Sequence, residues 1–166
     1  MNQNEVLANL LEEKGQERPN WVMRQLNKLA VIHMLNEEKS YMDKVGQMVA
    51  SHNRAAEKSG KSKYDATKLD EFYHKRAMYR AAQLGPDAAE YALWLGQKKE
   101  DLYDWPRNKY IRKYSDKKNE AESQKDLQNN RNAVIMSLQN PGVPVNEMIS
   151  PEGTTAGVFD IRLLTR

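Results

Sequence analysis

Apolar residues recur at helical spacing near the start of this chain. Residues 4–14 place four of them on one face: Val6, Leu7, Leu10 and Leu11. Gly15 follows as a natural helix stop. The pattern predicts a short amphipathic helix, which must dock on a neighbour because isolated helices of this length are marginal in water.

Two longer apolar runs follow, one from Trp21 to Leu35 and one from Tyr41 to His52. Ser40 with Asp43 resembles a capping box, which would begin a new helix between the runs. A single helix over residues 19–56 fits the pattern equally well. A helical hairpin and one long rod therefore both stay open, and either could form an oligomeric seam.

The middle of the chain predicts three further helices. The first covers residues 67–84, where a Gly-Pro pair separates it from the next. Residues 87–95 predict a short apolar helix, which Gly96 breaks. Residues 98–105 predict a second short helix, which Pro106 ends.

The last part of the chain predicts less regular structure. Residues 107–128 are compatible with a helix of thin apolar edge, and residues 132–138 are too short to distinguish helix from strand. Residues 140–153 are rich in Pro and Gly and predict an irregular arm. Apolar and charged residues alternate from Phe159 to Leu163, which predicts a half-buried strand that a neighbouring subunit could pair with.

Residues 88–105, AAEYALWLGQKKEDLYDW, carry the pattern of a helix-turn-helix. Ala92 is the small residue at which a second helix packs closely, and Gly96 suits the turn. Leu102 and Trp105 would face inward and leave the outer face of the second helix free for a major groove. An ordinary corner of a helical core gives the same pattern, so both interpretations stay open.

The same residues resemble the compact helix-turn-helix of bacterial and phage DNA-binding proteins. Their ending, LYDW, is similar to the end of the recognition helix in small terminase subunits, which mark phage DNA for packaging. The resemblance implies an all-helical ring oligomer with a C-terminal β segment. It also implies double-stranded DNA and other virion or packaging proteins as partners.

These patterns predict an all-α fold: a helical bundle with long helices, a helix-turn-helix element and a short C-terminal β-strand arm. Residues 1–60 form an N-terminal helical region for oligomerisation or packing. Residues 64–130 hold the helix-turn-helix and a basic helix, and residues 131–166 form the extended arm with the terminal strand. The chain has 166 residues, 39% of them hydrophobic and 30% charged, which suits a thin helical assembly. We therefore expect a homo-oligomer.

The distribution of charge says more than the formal net charge of +3. Cations dominate the segment from Arg107 to Lys118, in which Asp116 is the single acid. The candidate DNA contacts are Lys98, Lys99, Arg107, Lys109, Arg112 and Lys113. The first two would reach the groove or phosphate and the other four phosphate. A solvated helix face would produce the same run of charge.

Enzyme chemistry and bound cofactors or metals find little support in the sequence. The chain has no cysteine, which excludes disulfides and thiolate zinc sites. His33, His52 and His74 are far apart, and no familiar catalytic motif occurs. No apolar run approaches bilayer length and no signal peptide is visible. The expected location is the cytoplasm, meaning the host cytoplasm or the virion if a phage encodes the chain.

The first functional prediction is a non-enzymatic DNA-binding protein, with phage-type DNA packaging as the role that the resemblance implies. One alternative is a structural helical virion component, such as a connector, ejection or scaffolding protein. The irregular arm after Asn140 favours it, because a simple DNA-binding domain does not need one. Another alternative is an adaptor that binds a different protein through Met- and Tyr-rich helices.

Overall fold

The computed structural model describes residues 2–15, 19–66 and 68–151, and every regular element in these ranges is a helix. The α-helices are α1 (Gln3–Lys14), α2 (Trp21–Ser59), α3 (Leu69–Ala82), α4 (Pro86–Lys99), α5 (Asp116–Gln139) and α6 (Val145–Met148). Two π-helical turns, Glu100–Asp104 and Arg107–Ile111, follow α4. The all-α class is confirmed, and the strand predicted at Phe159–Leu163 lies outside the described residues.

The second helix settles the choice between a hairpin and a rod, because α2 is one helix of 39 residues. The Asn20 side chain caps its start by accepting from the Met23 N–H at 3.0 Å. Gly60 ends it at a φ of 68°, a left-handed conformation that favours glycine. Its buried residues recur every seven or four positions, which makes one continuous inward stripe: Val31, Glu38, Val45, Val49 and Ala56.

Helices α2 to α5 form an antiparallel bundle. Asn53 of α2 binds Tyr64 just before α3, while Glu38 binds Arg76 farther along, so these two helices form a hairpin. Helix α4 and the helical path after it run antiparallel to α5, because Gly96 lies beside Asn130 whereas Trp105 meets Asn119 nearer the connecting loop. The Trp105 carbonyl is 2.9 Å from the Asn119 amide nitrogen.

The core of α3 and α4 is rich in alanine, which lets the two helices approach closely. The buried alanines are Ala77, Ala81, Ala82, Ala88, Ala89 and Ala92. Tyr73 and Tyr79 supply most of the bulk beside them. The Tyr79 hydroxyl donates to the Val143 carbonyl at 2.9 Å and so ties the chain after α5 to the core.

The ends of the chain join this bundle through α5. Helix α1 covers the residues predicted for it and docks on α5, where the Gln3 amide donates to Asn132 at 2.6 Å. Helix α5 continues to Gln139. Residues 131–139, predicted as part of an extended arm, are therefore helical, and Val134 and Leu138 are buried in the core on the last turns of α5.

A buried ion-pair network joins α2 to α3. The Glu38 carboxylate is 1% exposed and accepts from Arg76 Nε at 2.9 Å and from Arg80 Nη1 at 2.8 Å. Arg80 also binds Glu37 at 2.6 Å, and Arg76 binds the side chain of Asn146 on α6. A carboxylate this buried is tolerated only when it is paired and hydrogen-bonded, so the network fixes how α2 and α3 align.

We predict that Glu38→Ala lowers the free energy of unfolding by about 3–5 kcal/mol, because the Arg76 guanidinium would stay buried without its partner. Glu37→Ala is the matched control, since it removes a neighbouring, more accessible carboxylate from the same Arg80. We expect that control to cost about 1 kcal/mol or less. Urea denaturation followed by circular dichroism measures both, and equal losses would contradict the assignment.

Candidate functional site at the end of α4

The turn predicted at Gly96 is wrong. Helix α4 passes through Gly96 without a break, and the helical path continues beyond Lys99. Gly96 is buried, and a Cβ added there would lie 2.8 Å from Asn130 Nδ2 and 3.2 Å from Met78 Cε. Glycine is therefore present because α4 approaches α3 and α5 closely. It does not bend the chain, so the two short helices predicted on either side of it form one continuous helical path.

The helix end predicted at Pro106 is also wrong. Proline removes one helical N–H and clashes with the carbonyl four residues earlier in an α-helix. Here a wider π-helical turn lies on each side of Pro106, and the bonds that close the two turns run from the Trp105 N–H to the Glu100 carbonyl and from Arg112 to Arg107. The continuous helical path ends at Ile111, and Lys113 at a φ of 55° leads towards α5.

Two of the six predicted DNA contacts are held by a buried carboxylate. Asp104 is 5% exposed and binds Lys99 Nζ at 3.0 Å and Arg107 Nη2 at 2.7 Å. Lys99 Nζ also lies 2.8 Å from His74 Nε2 of α3. Both cations therefore balance the charge of the buried Asp104 carboxylate. An approaching phosphate would have to compete with Asp104 for them.

Of the other four predicted contacts, Lys109 is half-buried and three are exposed. Lys109 binds Asp116 at 3.2 Å and lies over the Trp105 ring, 4.7 Å from its centroid. Lys98, Arg112 and Lys113 are exposed, and within the described ranges none of these three has a carboxylate partner. The structure thus divides the predicted set into three cations paired with carboxylates and three that face solvent.

The buried side of this segment carries an unusual concentration of acid. Burial, together with the nearby charges of Asp104 and Asp126, raises the pKa of Glu100 to about 7. Burial also raises the pKa of Asp126 on α5. Asp70 behaves in the opposite way: its hydrogen bond with His74 lowers its pKa to about 2. Three helices thus meet around a polar cluster rather than an apolar one.

Sequence reasoning missed this cluster. It assigned no role to Glu100, Asp101 or Asp104, because the sequence does not separate the buried acids from the exposed one. One signal was available, since Asp104 lies three residues before Arg107, a spacing that places both on one helix face. The partners from α3 and α5 carried no such signal, because they are distant in sequence.

Comparisons with known proteins identify no relative: no protein-family model, curated protein or solved structure matches this chain. Across the described ranges, no cluster of three or more His, Asp or Glu side chains is arranged to hold a metal ion. In the same ranges, no helix is both long and apolar enough to cross a membrane. The resemblance to small terminase subunits and the six DNA contacts stay predictions.

The raised pKa of Glu100 predicts that stability falls with rising pH. The unfolded chain releases this proton near 4.5, whereas the folded protein holds it to about 7, so the folded state binds more protons between these values. Glu100→Gln removes that loss. Relative to the wild type, we expect the free energy of unfolding of the variant to increase by up to about 3 kcal/mol from acidic to mildly alkaline pH.

Urea denaturation of both proteins at about pH 5 and about pH 8 measures this gain. Asp101→Asn is the matched control, since it makes the same change of charge at an exposed neighbour. We expect its effect to stay nearly constant across the two conditions. If Glu100→Gln also changed the free energy of unfolding equally at both pH values, the Glu100 carboxyl would have the same pKa in the folded and unfolded states. That result would contradict the prediction.

Proposed function

We propose that this protein is a non-enzymatic structural protein that assembles with copies of itself through the first turns of α2. The observation that carries the proposal is that α2 is apolar on two opposite sides. Val31 is fully buried on the inner side, whereas Leu29 is 63% exposed on the outer side. The two residues lie about 200° apart around the helix, at about 100° per residue.

The outer side forms a stripe, which we call the α2 seam: Val22, Leu26 and Leu29. All three are exposed to at least half of their surface. Trp21, also exposed, and Ile32 extend the apolar area beside it. Monomeric proteins rarely expose contiguous apolar surface of this kind, whereas interfaces are rich in such side chains. The seam therefore supports an interface rather than a solvated face.

The spacing within the α2 seam matches helix-to-helix packing. Its residues follow one another at intervals of four and three, which is the repeat of a coiled-coil seam. The positions beside it on the helix, Gln25 and Ala30, are uncharged, so a second α2 could approach without bringing like charges together. Lys28 points elsewhere, since its ammonium lies 5.4 Å from the centre of the Tyr91 ring on α4.

A self-assembling helical rod corresponds to the structural alternative among the functional predictions. The buried ion pairs and π-helical turns hold α3, α4 and α5 as a compact body from which the outer side of α2 remains available. The resemblance to small terminase subunits adds the expectation that the assembly belongs to a phage particle or its packaging complex. Self-association is the part of this proposal that the geometry supports most directly.

The test is the mass of the protein in solution, measured by sedimentation velocity over a range of concentrations. We expect the wild type to form a dimer or larger oligomer, and Leu26→Glu with Leu29→Glu to raise its dissociation constant by at least about a hundredfold. Met48→Glu, which places the same charge at another exposed apolar position of α2, is the control. It should leave the oligomer intact.

A wild type that is monomeric at every concentration would overturn self-assembly. The α2 seam would then be left to a different protein, as the adaptor alternative predicts. Circular dichroism of each variant verifies that the helices still form, since every substituted side chain is exposed and makes little contribution to the core.

A further inference from the structure

The helical path between Glu100 and Ile111 is amphipathic in the reverse of the usual sense. Its buried residues are polar and recur every four positions: Glu100, Asp104 and Asn108. Four of its exposed residues are apolar or aromatic and form what we call the corner face: Leu102, Tyr103, Tyr110 and Ile111, which are 64–76% exposed. Water-facing helices normally show the opposite arrangement.

The polar contacts of the buried side determine this orientation. The side chains of Lys99 and Arg107 form ion pairs with the Asp104 carboxylate. The Asn119 amide of α5 donates to the Trp105 carbonyl at 2.9 Å. Rotating the segment to bury its apolar residues would break these contacts and leave buried charge without a partner, which is strongly unfavourable. The corner face is therefore held outward as a permanent feature of the fold.

Along the chain, exposed cations lie on both sides of the corner face and outnumber the exposed acids there, Asp101 and Asp116. Lys98 precedes it, while Arg112, Lys113 and Lys117 follow Ile111 where the chain turns back into α5. Within the described ranges these four cations form no ion pair. A partner that covers this surface must therefore accept apolar and aromatic side chains at its centre and offer negative charge around them.

We propose that the corner face docks on the surface of an anionic lipid bilayer. Aliphatic and tyrosine side chains enter the boundary between headgroups and acyl chains, and the neighbouring Lys and Arg ammonium and guanidinium groups contact the anionic headgroups. The corner lies where the helical path ends and the chain reverses, a shape that can meet a flat surface. The protein rests on the membrane and does not cross it.

Two other partners fit this surface less well. A duplex would use the phosphate-binding cations but leaves Leu102 and Ile111 without a role, since its backbone offers them no apolar contact. A second copy of this chain would bring its α2 seam, whose stretch from Asn20 to Asn36 carries Arg24 and Lys28 and no acid. The α2 seam would therefore offer no negative charge to the cations beside the corner face.

Sedimentation of the full chain with vesicles tests the proposal. We expect binding to vesicles of phosphatidylcholine and phosphatidylglycerol, and little binding to phosphatidylcholine alone. Leu102→Ser with Ile111→Ser should weaken this binding at least about tenfold, through lost apolar transfer. Arg112→Ala with Lys113→Ala should weaken it by a similar factor, since each cation near an anionic surface contributes on the order of fivefold.

Matched controls remove the same groups elsewhere. Met48→Ser deletes an exposed apolar side chain of α2, and Lys58→Ala with Lys61→Ala deletes two exposed cations at its end. Both should bind vesicles as the wild type does. None of the corner-face residues belongs to the α2 seam, so the oligomer measured by sedimentation velocity reports on the two surfaces separately.

Three outcomes would overturn the proposal. The first is no binding to either kind of vesicle. The second is binding that the Arg112 and Lys113 substitutions abolish while the Leu102 and Ile111 substitutions leave it unchanged, which would reduce the surface to an anion contact. The third is salt-sensitive binding of duplex DNA, measured by fluorescence anisotropy, with vesicles inert, which would return the segment to the DNA prediction.

Discussion

The burial of one carboxylate constrains much of this fold. Glu38 lies almost fully out of water between the guanidinium groups of Arg76 and Arg80, and it is stable there only while both donors are in place. That requirement fixes the register of α2 against α3. Because α3 also packs against α4 and α5, the same alignment determines where the other helices of the bundle can sit.

A second charged layer lies at the other end of α3 and repeats the principle. Asp70 and His74 of α3 meet Lys99 of α4, which in turn meets Asp104 on the first π-helical turn. Polar pairing thus occupies interior positions that apolar side chains would fill in most bundles. The apolar side chains of the α2 seam and the corner face lie on the surface.

Gly96 shows why a local pattern misled the interpretation of the central segment. A glycine between two apolar stretches, followed by a proline, is typical of a turn and a helix end, and both were predicted. The glycine instead makes room for Asn130 and Met78, and the proline sits between two widened turns. Close approach and a bend both require glycine, so its presence alone could not distinguish them. The packing partners from α3 and α5 show that this glycine permits close approach of the helices.

The sequence by itself determined the helical class, the extent of α1 and the concentration of cations after Gly96, because helix periodicity, capping residues and charge are local properties. Only the tertiary structure decided that α2 is a single rod, that Lys99 and Arg107 form ion pairs with Asp104, and that the corner face points outward. These outcomes depend on contacts between residues far apart in the chain. Their free energies come from burial and pairing across helices, which no local pattern contains.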